Sequence, residues 1–152
     1  MRDFVAFAVQ PSAEAAGSLP FGEEVRLGLS RDLGTALDGA DASQSSAWVL
    51  QAKGFRAYVG PLSALELIHR HADETRSTSV RERGGAFRVS VGDHPHCAGQ
   101  PVPAPQGFEG HRRVSVQPSE AFIDSCLSWF TVDLFMNEEE SIAAVTLDVW
   151  EP

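Results

Sequence analysis

Residues 93–97 read Asp-His-Pro-His-Cys, and His111 follows across a loop. Imidazole, thiolate and carboxylate are the donors that zinc accepts in tetrahedral sites. His94, His96 and Cys97 are therefore the candidate metal ligands, with zinc the candidate ion. The spacing is not one of the usual zinc patterns, which pair Cys-x2-Cys or His-x3-His. The bland alternative is a solvent-facing, proline-rich turn that contains imidazoles. A second group, Glu66, His69 and Asp73, falls at helical spacing and shares one helix face. Glu-x-x-His is the inward ligand pattern of di-iron bundles, but those need two copies and two further glutamates. A single copy is expected to be a solvated face, with the histidine near the negative end of the helix dipole.

Cys97 beside His96 is the only hint of a nucleophile–base pair. Neighbouring residues seldom face each other, and no Gly-x-Ser-x-Gly elbow accompanies them. A phosphate-binding loop and a Gly-x-Gly-x-x-Gly turn are also absent from the sequence. Without a catalytic frame, binding ranks ahead of catalysis.

The acidic C-terminal region offers a binding surface. Residues 117–152 hold eight acids and no base, a charge of −8, whereas residues 1–50 carry −4 and residues 51–116 carry +3. Asp133, Glu138, Glu139, Glu140, Asp148 and Glu151 lie there, with Trp129 and Trp150 among them. Acidic patches steer association with basic proteins, and aromatic side chains anchor such interfaces. The expectation is a small acidic binding protein, of inhibitor or immunity type, for a basic protein partner. The alternative is a metal-dependent enzyme or metal-binding protein built on the 93–97 loop. The bland reading of the acidic surface is a soluble hairpin whose charge prevents aggregation.

The net charge of −9 argues against nucleic-acid binding, which needs a basic footprint. No stretch approaches the roughly 20 apolar residues that span a bilayer. The apolar run Phe4–Val9 is too short for a signal peptide, and Asp3 sits where positive charge is needed. These features predict a cytoplasmic protein with Cys97 and Cys126 as free thiols. Cys126, amid Phe122, Ile123 and Leu127, is expected in the core. Eleven of the twelve basic residues are Arg, as a GC-rich genome would give.

A chain of 152 residues suits one domain. Asp3–Val9, apolar on both faces, predicts a central strand. Pro11–Pro20 is a connector. Within Phe21–Leu37, spacing of four (Phe21, Val25, Leu29, Leu33, Leu37) favours a helix, although Val25, Leu27 and Leu29 also alternate as in a strand. Ala47–Leu50 and Phe55–Val59 suit two strands. Pro61–Ala72 suits a helix with Pro61 in its first turn and Leu65, Ile68 and Ala72 inward. Ala86–Val91 and Arg112–Val116 read as strands flanking a Pro- and Gly-rich loop, Gly92–Gly110. Pro118–Glu120 suits a helix start with Ser119 as cap.

Alternation is clearest at the C-terminus. Trp129–Met136 and Ser141–Trp150 form an antiparallel hairpin in which Leu134 faces Val145, Val132 faces Leu147, Met136 faces Ala143 and Trp129 faces Trp150. The other face, with Asp133 and Asp148, is expected in solvent. The fold class is α+β: a mostly antiparallel sheet of five or six strands with two or three helices, ending in this hairpin. A free hairpin edge would also allow a homodimer sharing one sheet.

Overall fold

Phe4, Phe7 and Ala8 recur at i, i+3 and i+4, and all three are buried. That period belongs to a helix, and residues Arg2–Val9 form α1. The expected strand is thus overturned: a short, wholly apolar run cannot distinguish the two periods. The fold is known from a computed structural model that describes residues 2–51, 61–76, 86–92, 102–119, 126 and 129–149.

A short helix α2 (Ala13–Gly17), capped by the Ser12 hydroxyl, follows within the expected connector. Phe21–Leu37 is a β-hairpin, not a helix: β1 (Phe21–Leu29) pairs antiparallel with β2 (Asp32–Leu37). The alternating set Val25, Leu27 and Leu29 is the buried one. A bulge at Leu27/Gly28 brings the Asp32 carbonyl oxygen to 2.6 Å from where a Cβ on Gly28 would stand. Only glycine fits that approach. Two 3-10 turns (Asp41–Ser43 and Ser45–Trp48) then bury Trp48 against Phe4, Phe7 and Phe21, with ring centroids 5.9–6.2 Å apart.

Strands β3 (Val49–Gln51) and β4 (Pro61–Ser63) form a separate antiparallel pair. Pro61 therefore opens a strand, and helix α3 runs from Ala64 to Arg76. Leu65 and Ile68 face the core as expected, Ala72 is partly buried, and α3 packs on α1. The remaining strands are β5 (Phe87–Val91), β6 (Arg112–Pro118), β7 (Phe130–Met136) and β8 (Ile142–Val149). Phe55–Val59, Glu120 and most of residues 92–101 lie outside the described residues.

The main sheet has the order β2-β1-β8-β7-β6-β5. Every pairing is antiparallel except β1 with β8. The α+β class and the C-terminal hairpin are as expected. Its register holds at Val132↔Leu147 and Leu134↔Val145, but a bulge at Phe135/Met136 sets Met136 against Ile142, not Ala143. One face of the sheet carries Val25, Leu27, Val116, Val132, Leu134, Val145 and Leu147 into a core shared with α1, α3 and Trp48. Among the described residues, no helix is long and apolar enough to cross a membrane.

The hairpin's position differs from expectation. Strands β7 and β8 lie at the centre of the sheet, flanked by β6 and β1. Neither has a free edge with which to join a second copy, so the hairpin-edge route to a homodimer is closed.

Candidate functional site

Both faces of the central strands β7 and β8 are buried along nearly their whole length. The second face of this sheet is built by Arg113, Ser115 and Gln117 on β6, Thr131, Asp133 and Phe135 on β7, and Thr146 and Asp148 on β8. Register aligns Ser90, Ser115, Asp133 and Thr146 in one row across four strands, and Arg88, Gln117, Thr131 and Asp148 in the next. Asp133 is 0% exposed, Asp148 8% and Trp129 7%. The expectation of a solvent face at these three residues is corrected. Alternation finds which residues share a face, but it does not reveal what covers that face.

The Asp133 carboxylate accepts hydrogen bonds from Arg113 Nη2 and Ser115 Oγ. Arg113 Nη1 donates to the Val102 carbonyl oxygen. Ionised donors and acceptors make the stronger hydrogen bonds, and burial excludes the water that would compete. The guanidinium carbon also lies 5.6 Å from the Phe135 ring centroid, and Phe108 packs edge-on to that ring at 5.9 Å. Residues 102–111 are thus strapped across the sheet by a buried ion pair and an aromatic pair. Trp129 Nε1 donates to Thr131 Oγ1 at 3.1 Å. Within this cluster the charges of Arg113 and Asp133 face each other.

Glu138, Glu139 and Glu140 do lie in solvent, at the tip of the hairpin. The Asn137 side-chain oxygen accepts from the backbone N–H of Glu139 (3.1 Å) and of Ser141 (2.8 Å). Glu140 takes the left-handed conformation, with φ 61°. Its carboxylate meets Arg112 Nη2 at 3.5 Å. The parallel β1–β8 pairing brings Phe21 beside Ile142, so exposed Glu23 and Glu24 lie at the tip's end of the sheet. Exposed Glu109, just before β6, joins them because Arg112 pairs with Met136. Six glutamates from three separate segments share this end. The β1 and loop contributions are not visible in a sequence window; the pairings of β1 with β8 and of β6 with β7 reveal them.

His69 stands where α3 passes the end of α1. Its Nδ1 donates to the Val9 carbonyl oxygen at 2.8 Å, and its Nε2 meets Asp73 Oδ2 at 3.1 Å. Both ring nitrogens are engaged, so the ring acts as a brace between helices. His71 is buried on the other side of α3. Its Nε2 donates to the Ala86 carbonyl oxygen at 3.0 Å, and its ring packs against Phe87 and Phe130. Burial lowers its pKa below the ordinary 6.5, against smaller upward pulls from the Ala86 bond and Glu74.

Asp93, His94, His96, Cys97 and Trp150 lie outside the described residues. His111 is described, and its ring packs on Phe108 at 4.7 Å. No three His, Cys, Asp or Glu side chains converge to hold a metal among the described residues. Cys126 is disulfide-bonded and no cysteine is free among the described residues, which corrects the free thiol expected at Cys126. The sequence has one other cysteine, Cys97. No protein family, curated protein or solved structure matches this chain.

Proposed function

We propose that the protein is a binding module for a basic protein, of inhibitor or immunity type, engaging it through the glutamate-rich end of the sheet. One observation supports this: Glu23, Glu24, Glu109, Glu138, Glu139 and Glu140 are all exposed at one end of a sheet. Arg112, at the same end, is paired with Glu140. Like charges gathered on one surface raise the local potential and speed encounter with a cationic partner. They also make the association salt-dependent, because screening acts over about 8 Å at physiological ionic strength. The contact differs from the sequence expectation in its members: Trp129, Asp133 and Asp148 hold the sheet together behind it.

An oligoarginine peptide is a suitable probe. Calorimetric titration at low and physiological salt should show binding that weakens with salt. The triple variant Glu138→Lys, Glu139→Lys, Glu140→Lys should weaken it far more than an equal reversal at Asp32, Asp73 and Glu74. Those acids lie at the other end: Asp32 follows the β1–β2 turn, and α3's last turns pack beside Ala86 at the start of β5. Equal losses in the two variants would show that net charge alone drives binding, and the proposal would fall.

A further inference from the structure

A cleft of about 330 Å3 opens between the C-terminal end of α1, the Ser45–Trp48 turn and the first turns of α3. Its walls include Ala8, Val9, Val49 and Leu65, and its polar lining includes Ser45, Ser46, Ser63 and Glu66. Two features are unexplained by folding. Val49 is 44% exposed, one of few large apolar side chains left in solvent among the described residues. The Glu66 carboxylate, at the same cleft, has no hydrogen-bond or ion-pair partner among the described residues. Its helix neighbours are committed elsewhere: His69 to Val9 and Asp73, and Arg70 to Glu74. An apolar wall beside a free anion and several hydroxyls is the usual composition of a small-molecule site.

We infer that this cleft binds a small cationic amphiphile, an amine or guanidine on an apolar body. The cation meets Glu66, the body lies along Val9, Val49 and Leu65, and the serine hydroxyls take remaining donors and acceptors. A neutral ligand would leave the carboxylate unused. An anionic ligand would be repelled by Glu66. Size fits the class: water occupies about 30 Å3 in the liquid, so the cleft has room for roughly eleven atoms of that size. The His69 brace fixes the cleft's shape by holding the end of α1 against α3. The site is independent of the glutamate-rich end of the sheet and stands or falls separately from it.

Tryptamine is the probe, and indolepropionate is the control of opposite charge. Titration into the labelled full-length chain, followed by amide NMR shifts, should give saturable changes centred on Ala8, Ser45, Ser46, Val49, Leu65 and Glu66. Glu66→Gln should weaken tryptamine on the order of tenfold, the loss expected for a charge-assisted contact. Because Glu66 is exposed and unpaired, that variant should melt like the parent. Ser46→Trp, which fills the cleft from an exposed position, should abolish the shifts. The inference is overturned by any of four results: no saturation up to the probe's solubility, equal binding of indolepropionate, unchanged affinity in Glu66→Gln, or shifts centred on Glu138–Glu140.

Discussion

Asp133→Ala separates a buried charge from a surface one more sharply than any other substitution here. Were Asp133 on an open hairpin face, its loss would change stability by no more than about 0.5 kcal/mol. In the structure it is fully buried, and Arg113, its partner, is 5% exposed. Truncation leaves a guanidinium without its counter-charge in a water-poor layer and removes the acceptor for Ser115. Breaking one side of a buried pair costs about 3–5 kcal/mol. For a chain of this size each kcal/mol moves the melting temperature by roughly 2–4 °C, so a fall of roughly 10 °C is expected. Thermal and urea unfolding followed by circular dichroism measure it. Arg113→Ala should cost a similar amount and should also release the Val102 carbonyl, raising hydrogen exchange across residues 102–111. The double variant should cost less than the two singles together, by about 1–3 kcal/mol, because the pair is lost only once. A cost near zero for Asp133→Ala, or strict additivity, would refute the buried pair and return Asp133 to the surface.

Two further outcomes test the core and the disulfide. Burial lowers the His71 pKa below 6.5 in the folded chain, so below that pH the unfolded chain binds more protons than the folded one. Stability should be full above about pH 6.5, fall as pH drops from there through the folded pKa, and level off below it; urea unfolding across this range should show the slope, and His71→Phe should flatten it. Reducing the disulfide at Cys126 should cost roughly 2–4 kcal/mol of stability, read by urea unfolding with and without reductant. Non-reducing peptide mapping should recover Cys126 in a disulfide, and a thiol assay that finds it free in air-oxidised protein would contradict the bond.

The parts legible in the sequence were those whose signal is local. Alternation in β5, β7 and β8 reports the pleat directly, and these strands lie within a residue of where it places them; β6 runs on through Pro118, where a helix start is expected from the sequence. The hairpin register followed because Val132, Leu134, Val145 and Leu147 had to share one face. Local signals failed where two periods fit the same residues. Phe4–Val9 is apolar throughout, and only the burial of Phe4, Phe7 and Ala8 selects the helix. In Phe21–Leu37, spacing of four competed with alternation, and the glycines that weaken a helix were the better guide. Gly28 is there for a close backbone approach within a hairpin.

The candidate site was harder to read because charge along a chain does not say which side of a sheet it occupies. Of the eight acids in residues 117–152, Asp133 and Asp148 are internal, and Glu138–Glu140 are external. A buried carboxylate matched by a guanidinium contributes little to the field outside, so the raw count of −8 overstates what a partner would meet there. The shortfall is offset by Glu23, Glu24 and Glu109, which no window of sequence joins to the tip. They arrive through the one parallel pairing in the sheet and through the strap that Arg113 anchors. The same residue that removes Asp133 from the surface therefore helps place Glu109 on it. Loosening Arg113 should disperse the acidic end while leaving the net charge more negative by one. Weaker oligoarginine binding by Arg113→Ala, despite that gain in negative charge, is the result that arrangement requires and net charge does not.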